Sequence, residues 1–227
     1  MINKIRNRLT EYLGFNSDEL FKCGTLVRVF GGAVRDSICG DKIHDIDILC
    51  GSKSIYELNQ LLKSQGYIYM ESLTPKDLSN IYKDIKTINE PHSWVKRDKI
   101  VQVIRPTTGH NFSQKDYTQT YKELISNVDI SCCAVSIDGI NLYESYENAI
   151  THCINKVYII NHQARMYNRS RITHRIAKFS DRGWREIEEN DKSVIRDIKI
   201  DSVLSNTGEY ICEWLAQEKV NSEPIWK

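Results

Sequence analysis

Two aspartates one residue apart, Asp45 and Asp47, follow a pair of adjacent glycines, Gly31 and Gly32, and the step Arg35-Asp36. Residues 29–52 read VFGGAVRDSICGDKIHDIDILCGS, which the pattern assigns as strand, glycine turn, helix, short loop and second strand. Residues two apart on a strand share a face. Both carboxylates are thus held side by side, close to a glycine turn and a helix N-terminus. The turn and the helix end suit a phosphate chain, and a carboxylate pair suits Mg2+. Two like charges on one face repel, and one would tend to take up a proton unless a divalent cation lets both stay ionised. The combination points to chemistry on a nucleoside triphosphate. An Asp-x-Asp alone is more often a solvated edge or a cap; the glycine pair and Arg35-Asp36 shift the balance. His44, just before the pair, reads as a loop residue rather than a ligand.

The elements that must position these groups can be read around them. A helix covers roughly residues 1–15, with Ile2, Ile5, Leu9, Tyr12 and Leu13 at helical spacing. A strand at 26–30 enters the glycine turn, the next helix runs to about Ile38, and the aspartates lie on a strand at 45–50. A helix at 54–64 ends at Gly66, and 67–70 reads as a strand. Residues 73–90 read as a loop with a short helix. Residues 94–95 and 100–104 form a hairpin around Arg97-Asp98. A polar loop at 106–117 precedes a helix at 117–125. Residues 128–137 and 141–143 form a second hairpin turned by Asp138-Gly139. Beyond Glu144 the pattern is mainly helical. The expected fold is α/β (α+β): a mixed sheet with flanking helices over residues 1–145, then a small helical part over 146–227.

Residues Gly31, Gly32, Val34, Arg35, Asp36, Gly40, Asp45 and Asp47 carry a more specific signal. Their types and spacing resemble the head of the class II tRNA nucleotidyltransferases (CCA-adding enzymes) and bacterial poly(A) polymerases. These belong to the polymerase-beta-like nucleotidyltransferase superfamily, whose signature is Gly-Gly-x-Val-Arg-Asp, a short apolar run to Gly, a loop, and Asp-x-Asp. The resemblance implies that Asp45 and Asp47 are catalytic and hold two Mg2+ ions. It also implies a nucleotidyltransferase head followed by a neck, with ATP or CTP as the NTP and RNA, tRNA first, as the acceptor. Gly31 and Gly32 let backbone approach the triphosphate. Arg35 either reaches a phosphate or ties its helix to the Asp47 strand, and Asp36 belongs to the same local network.

Two further patches extend the resemblance. Residues 127–139, NVDISCCAVSIDG, read as a strand similar to the family's Arg-Arg-Asp-Phe-Thr strand. Asp129 and Ser131 fit it, while Asn127 and Val128 stand where the two arginines would be. Asp129 is expected to hold a ribose hydroxyl or to act as a third acid, since the strand KIVQVIR at 99–105 carries no carboxylate inside it. Cys132 and Cys133 are adjacent, so they point to opposite faces of that strand and pack as small apolar residues. Residues 174–184, HRIAKFSDRGW, resemble the family's neck helix. The Glu-Asp that usually precedes it, and helps read the base, is absent; Asn168 and Arg169 lie at that place. Asn168, Arg171, Arg175, Lys178 and Arg182 are the expected substrate-binding residues there. Weaker base discrimination than in the family follows.

The 227 residues allow one large or two small domains with a proper core. The net charge of +1 gives no global attraction to nucleic acid. Between Lys156 and Arg185, however, six basic residues, among them Arg165, Arg169 and Arg171, face Asp181 as the only acid. The bland reading of that run is a solvated helix face paired with acids downstream. Seven scattered cysteines without a C-x-x-C argue for a reducing compartment. No apolar run reaches membrane-spanning length, and the amphipathic N-terminus is unlike a signal peptide. The expected location is cytoplasmic, including that of a host cell. The short chain after the neck-like helix favours simple nucleotide addition over accurate CCA synthesis. Three other readings stay open: nucleotidyl transfer to a protein or small molecule, a toxin- or phage-type tRNA-modifying enzyme, and a non-catalytic nucleotide- or RNA-binding descendant.

Overall fold

The first helix shows how the pattern becomes structure. In a computed structural model of the protein, α1 (Ile2–Leu13) buries Ile5, Leu9 and Leu13, one stripe at four-residue spacing. Gly14 stops it in the left-handed region at φ 77°, its N–H bonded to the Thr10 carbonyl. Near the end of α1, Tyr12 accepts from the Ile100 N–H at 2.8 Å and donates to the His44 carbonyl at 2.7 Å. That one hydroxyl ties α1 to the loop before the aspartates. The structure describes residues 1–24, 26–70, 92–104, 128–161, 169–188, 201–204 and 210–213. The loops and helices expected within 73–90 and 106–125, together with Asn127 and Asn168, lie outside the described residues.

A short helix α2 (Asp18–Lys22), not expected from the sequence, leads to β1 (Val27–Phe30). The glycine turn follows, then α3 (Gly32–Cys39), β2 (Asp45–Cys50) and α4 (Ser52–Ser64). After α4, Gly66 turns the chain at φ 79° into β3 (Ile68–Met70). Strands β4 (His92–Lys96) and β5 (Lys99–Ile104) form the expected hairpin, with Arg97 at φ 57° in its two-residue turn. Strands β6 (Val135–Ile137) and β7 (Leu142–Glu144) form the other. There Asp138 Oδ1 caps the turn by accepting the Ile140 and Asn141 N–H groups.

The expected strand at 128–137 is a correction. Ile130 makes a single bridge to Ile160, Ser131–Cys133 is one 3-10 turn, and only Val135–Ile137 is strand. The Ser131 N–H donates to the Ile159 carbonyl and the Ile159 N–H to Ser131 Oγ, so a segment 28 residues on takes up the backbone. Cys132 and Cys133 sit on this turn, not on opposite faces of a strand.

Further on come α5 (Ala149–Asn155), β8 (Val157–Tyr158), α6 (Arg169–Asp181) and β9 (Arg185–Glu186), then β10 (Asp201–Leu204) and β11 (Tyr210–Glu213). The reading of a mainly helical stretch beyond Glu144 does not include these four strands. Among the described residues the main sheet has nine strands in the order β10-β11-β7-β6-β1-β2-β5-β4-β3. Every neighbouring pair is antiparallel except β2 and β5. The architecture is the mixed α/β sheet expected. β2 lies inside it, flanked by β1 and β5, with Ile46 and Ile48 fully buried on the face opposite the aspartates. A hydrogen-bonded strand in the middle of a sheet is a rigid mount for a site.

Candidate active site

Asp45 and Asp47 point to one face of β2, as their spacing requires. Asp45, at the start of the strand, is exposed; Asp47 is half-buried. One oxygen of Asp47, Oδ1, is fully buried with no hydrogen-bond partner among the described residues. Burial pushes the Asp47 carboxyl well above the usual range, and the neighbouring Asp45 pushes it further, against a smaller pull from Arg175. A buried carboxylate oxygen with no protein partner among the described residues, beside a second carboxylate, is the environment of a cation ligand. The donor set, oxygen only, fits a hard ion such as Mg2+.

The glycine turn sits at the neighbouring strand end, where Phe30 pairs with Asp47. Gly31 has φ 72° and ψ −132°, open to glycine alone in practice. Its N–H is taken by the Val135 carbonyl at 2.9 Å. Gly32 opens α3 with an ordinary φ, and a Cβ there would meet the Arg35 guanidinium at 3.6 Å.

Arg35 takes neither of the roles expected for it. It is buried, donates from Nε to Asp36 Oδ1 at 2.7 Å and from Nη1 to Cys133 Sγ at 3.0 Å. Its guanidinium also lies over the rings of Phe179 and Trp184, 4.8 and 5.8 Å from their centroids. Arg35 therefore locks α3 to the 131–133 turn and to α6, not to the Asp47 strand. Asp36 belongs to the local network, as expected: Arg182 reaches it at 2.8 Å and Asp41 at 3.0 Å. Asp41 also receives Lys156 at 2.6 Å and the Trp184 Nε1–H at 3.1 Å. Burial alone would raise the Asp41 carboxyl; the hydrogen bonds from Lys156 and Trp184 and the Arg182 charge outweigh it and lower it. Asp36, Cys39 and Asp41 lie close enough to share a metal ion. Three basic side chains already neutralise these two acids, so we assign the trio to structure.

The second patch does converge on the aspartates. Asp129 is buried and holds Arg175 in an ion pair, and Arg175 is near enough to act on Asp47. Cys133 Sγ accepts from both Arg35 and Arg175, the latter at 3.4 Å. A hydrogen bond from Cys132, then the two guanidinium charges, outweigh burial and lower the Cys133 thiol. On α6, Lys178 is exposed and Arg175 is engaged by Asp129; Arg182, one residue past the helix, is engaged by Asp36 and Asp41. Arg171 lies in the first turn of α6, and Asn168 lies outside the described residues. His44 is exposed, and burial with the charges of Lys178 and Arg182 lowers it.

No family model and no curated protein matches the chain. Solved structures do. The apo form I of a CCA-adding enzyme is 18% identical with a TM-score of 0.53, over 78% of this chain and 39% of that one. A CCA-adding enzyme complexed with ATP is 18% identical with a TM-score of 0.52, over 74% and 37%. The Thermotoga maritima CCA-adding enzyme complexed with tRNA is 16% identical with a TM-score of 0.51, over 78% and 40%. This chain has the fold of the CCA-adding enzymes. It spans about two fifths of the length of those it matches. The expected resemblance thus holds for the fold, at an identity too low to carry residue roles across.

Sequence reasoning missed the contacts of four residues in this CCA-enzyme-like frame. Asp41 and Trp184 give no local sign of their shared hydrogen bond across 143 positions. Cys133 looks like a core residue until two arginines reach it. Gln102 was detectable as a polar residue inside an apolar run, and it pairs in register with Asp47. Among the described residues no helix is long and apolar enough to cross a membrane.

Proposed function

We propose that this chain is a metal-dependent, template-independent nucleotidyltransferase that adds nucleotides from ATP or CTP to an RNA 3′ end, with tRNA as the first acceptor to test. The observation that carries the reading is the buried, unpartnered Asp47 oxygen beside Asp45, next to a glycine turn, on the fold of the CCA-adding enzymes. Solved relatives in complex with ATP, CTP and tRNA support the choice of partners.

Asp45 and Asp47 would hold Mg2+ as catalytic ligands. A cation held by this pair would supply Lewis-acid chemistry, lowering the pKa of an attacking 3′-hydroxyl and offsetting charge on the leaving pyrophosphate. Gly31 and Gly32 leave the backbone bare where the triphosphate approaches, and the first N–H groups of α3 face an anion favourably. Asp129, fixed by Arg175, is set to accept from a ribose hydroxyl. Arg35 and Arg182 fix α6 and α3 so that these groups keep their spacing, which is most of what such catalysis asks of a protein. Lys178, exposed, is left for a phosphate backbone.

The pairing of Arg175 and Arg182 with acids favours a second reading, transfer to a protein or small molecule, which needs no basic helix face. One experiment separates the two: the purified protein with each labelled NTP, Mg2+, and either total RNA or a protein extract. Label in RNA with wild type and none with Asp47→Ala supports the first reading. Label only in the protein or small-molecule fraction replaces it with the second. No label in any fraction rejects both.

A further inference from the structure

The row of side chains that runs from Asp47 across the sheet has a second buried oxygen without a partner. In the parallel pairing of β2 and β5, Asp47 is registered with Gln102; in the antiparallel pairing of β5 and β4, Gln102 is registered with Ser93. Register partners point to the same face, so Asp47, Gln102 and Ser93 form one polar line. Gln102 is 3% exposed and Ser93 1%. Gln102 Oε1 and Ser93 Oγ, like Asp47 Oδ1, are buried with no hydrogen-bond partner among the described residues. Buried polar groups are nearly always paired, and each exception asks for a reason. The flanking positions on β5, Val101 and Val103, are fully buried apolar residues on the opposite face. Beyond Lys99 at its start, Gln102 is thus the one polar residue of the strand, set opposite the Asp47 carboxylate with its unpartnered oxygen.

We infer that the side-chain carbonyl of Gln102 is a third oxygen ligand of the cation held by Asp45 and Asp47. The inference rests on the reading of that pair as a metal site. Neighbouring strands are about 4.8 Å apart, so a single ion lying between β2 and β5 is within reach of both side chains. Ser93, one strand farther at about twice that distance, is outside this reach and continues the line without sharing the ion. An amide oxygen suits a hard cation. It also adds no charge to a place where Asp45 already raises Asp47 by repulsion. The consequence is specific: with two charged ligands and one neutral ligand, the site binds its cation less tightly than three carboxylates would.

The test is direct binding of Mn2+ to the full chain, followed by electron paramagnetic resonance with Mg2+ as competitor, for wild type, Gln102→Leu, Gln102→Glu and Asp47→Ala. Gln102→Leu should weaken binding about tenfold or more, since loss of even an outer partner of a ligand costs that much. Gln102→Glu should tighten it by a similar factor, and should enlarge the rise of the unfolding midpoint that Mn2+ produces. Circular dichroism confirms that each variant is folded. If Gln102→Leu does not fold, Gln102→Glu decides alone, because only a side chain facing the ion gains from a carboxylate there. If Asp47→Ala abolishes binding while the Gln102 variants bind as wild type does, this inference fails and the metal site stands. If Asp47→Ala binds Mn2+ as wild type does, the reading of the pair as a metal site fails, and this inference with it.

Discussion

Arg182 offers a clear choice between a nucleic-acid contact and an internal clamp. Its Nη2 donates to Asp36 Oδ1 at 2.8 Å and to Asp41 Oδ2 at 3.0 Å. The Arg182 side chain is 17% exposed and that of Asp36 3%. Removing one partner of a buried ion pair costs about 3–5 kcal/mol when the other charge is left alone. Here neither acid is left alone: Asp36 keeps Arg35, and Asp41 keeps Lys156 and Trp184. Partial exposure of Arg182 reduces the loss further. Arg182→Ala should therefore cost about 2 kcal/mol, which for a chain of this size lowers the thermal midpoint by about 4–8 °C. Arg182→Lys keeps the charge but has no guanidinium at the position of Nη2, and should lie between. Lys178→Ala, one turn earlier on α6 and exposed, should leave the midpoint in place. The assay is thermal and urea unfolding at pH 7, run beside RNA binding across a salt series. An Arg182→Ala variant with an unchanged midpoint, weaker RNA binding and a salt slope smaller by about 0.7 would refute the clamp and return Arg182 to the binding face.

Other expected outcomes follow from the same geometry. Asp47→Asn removes a buried charge that lacks a partner, so it should abolish nucleotide transfer while stability rises by about 1–3 kcal/mol; a lower unfolding midpoint would contradict this. Gly31→Ala meets no atom within 4 Å but forces φ 72° on an L-residue, so it should lose about 1–3 kcal/mol through the backbone alone. Gly32→Ala meets only ordinary contact and should keep its stability; loss of NTP binding in that folded variant would mark the backbone approach of the triphosphate, and unchanged binding would remove it. His152 is buried against Ser131 Oγ at 2.9 Å, and desolvation lowers its pKa from 6.5 to about 4. A depressed histidine keeps its stability above the unfolded pKa and loses it as pH falls from 6.5 towards 4, here by about 3 kcal/mol. The difference between wild type and His152→Leu in urea unfolding should shrink by that amount across this window; a difference independent of pH would show that folding does not lower the His152 pKa.

The parts of this molecule readable in advance are those written in short-range chemistry. The glycine turn, the Asp45-Asp47 strand, the Gly66 helix end and the Asp138-Gly139 turn each depend on a few adjacent residues, and each stands where the sequence puts it. The misses depend on partners far along the chain. Residues 128–137 alternate like a strand, yet Ile159 and Ser131 exchange hydrogen bonds and hold the backbone in a 3-10 turn. β10 and β11 are four residues each, too short to show a period, and take their place by pairing with β7. Arg35 looks like a phosphate ligand from its neighbours in sequence. Its actual partners include Cys133, Phe179 and Trp184, about a hundred positions away or more.

These long-range partners explain how the fold tolerates its most costly group. An ionised Asp47 is disfavoured by burial and by Asp45, and its Oδ1 finds no compensating donor among the described residues. A site of that kind persists only where the surroundings over-determine it. The surroundings here are a central strand hydrogen-bonded on both sides and a set of guanidinium groups clamped between α3, the 131–133 turn and α6. Arg35 and Arg182 are spent on that clamp, and Arg175 links it to Asp129 and acts on Asp47. Among the described side chains, the basic residues of α6 and the residue after it therefore divide by burial, not by sequence position. Arg175 and Arg182 are engaged by Asp129, Asp36 and Asp41, and Lys178 is exposed. A substitution on the inner side should change stability first and activity through it. A substitution at Lys178 should change RNA affinity alone.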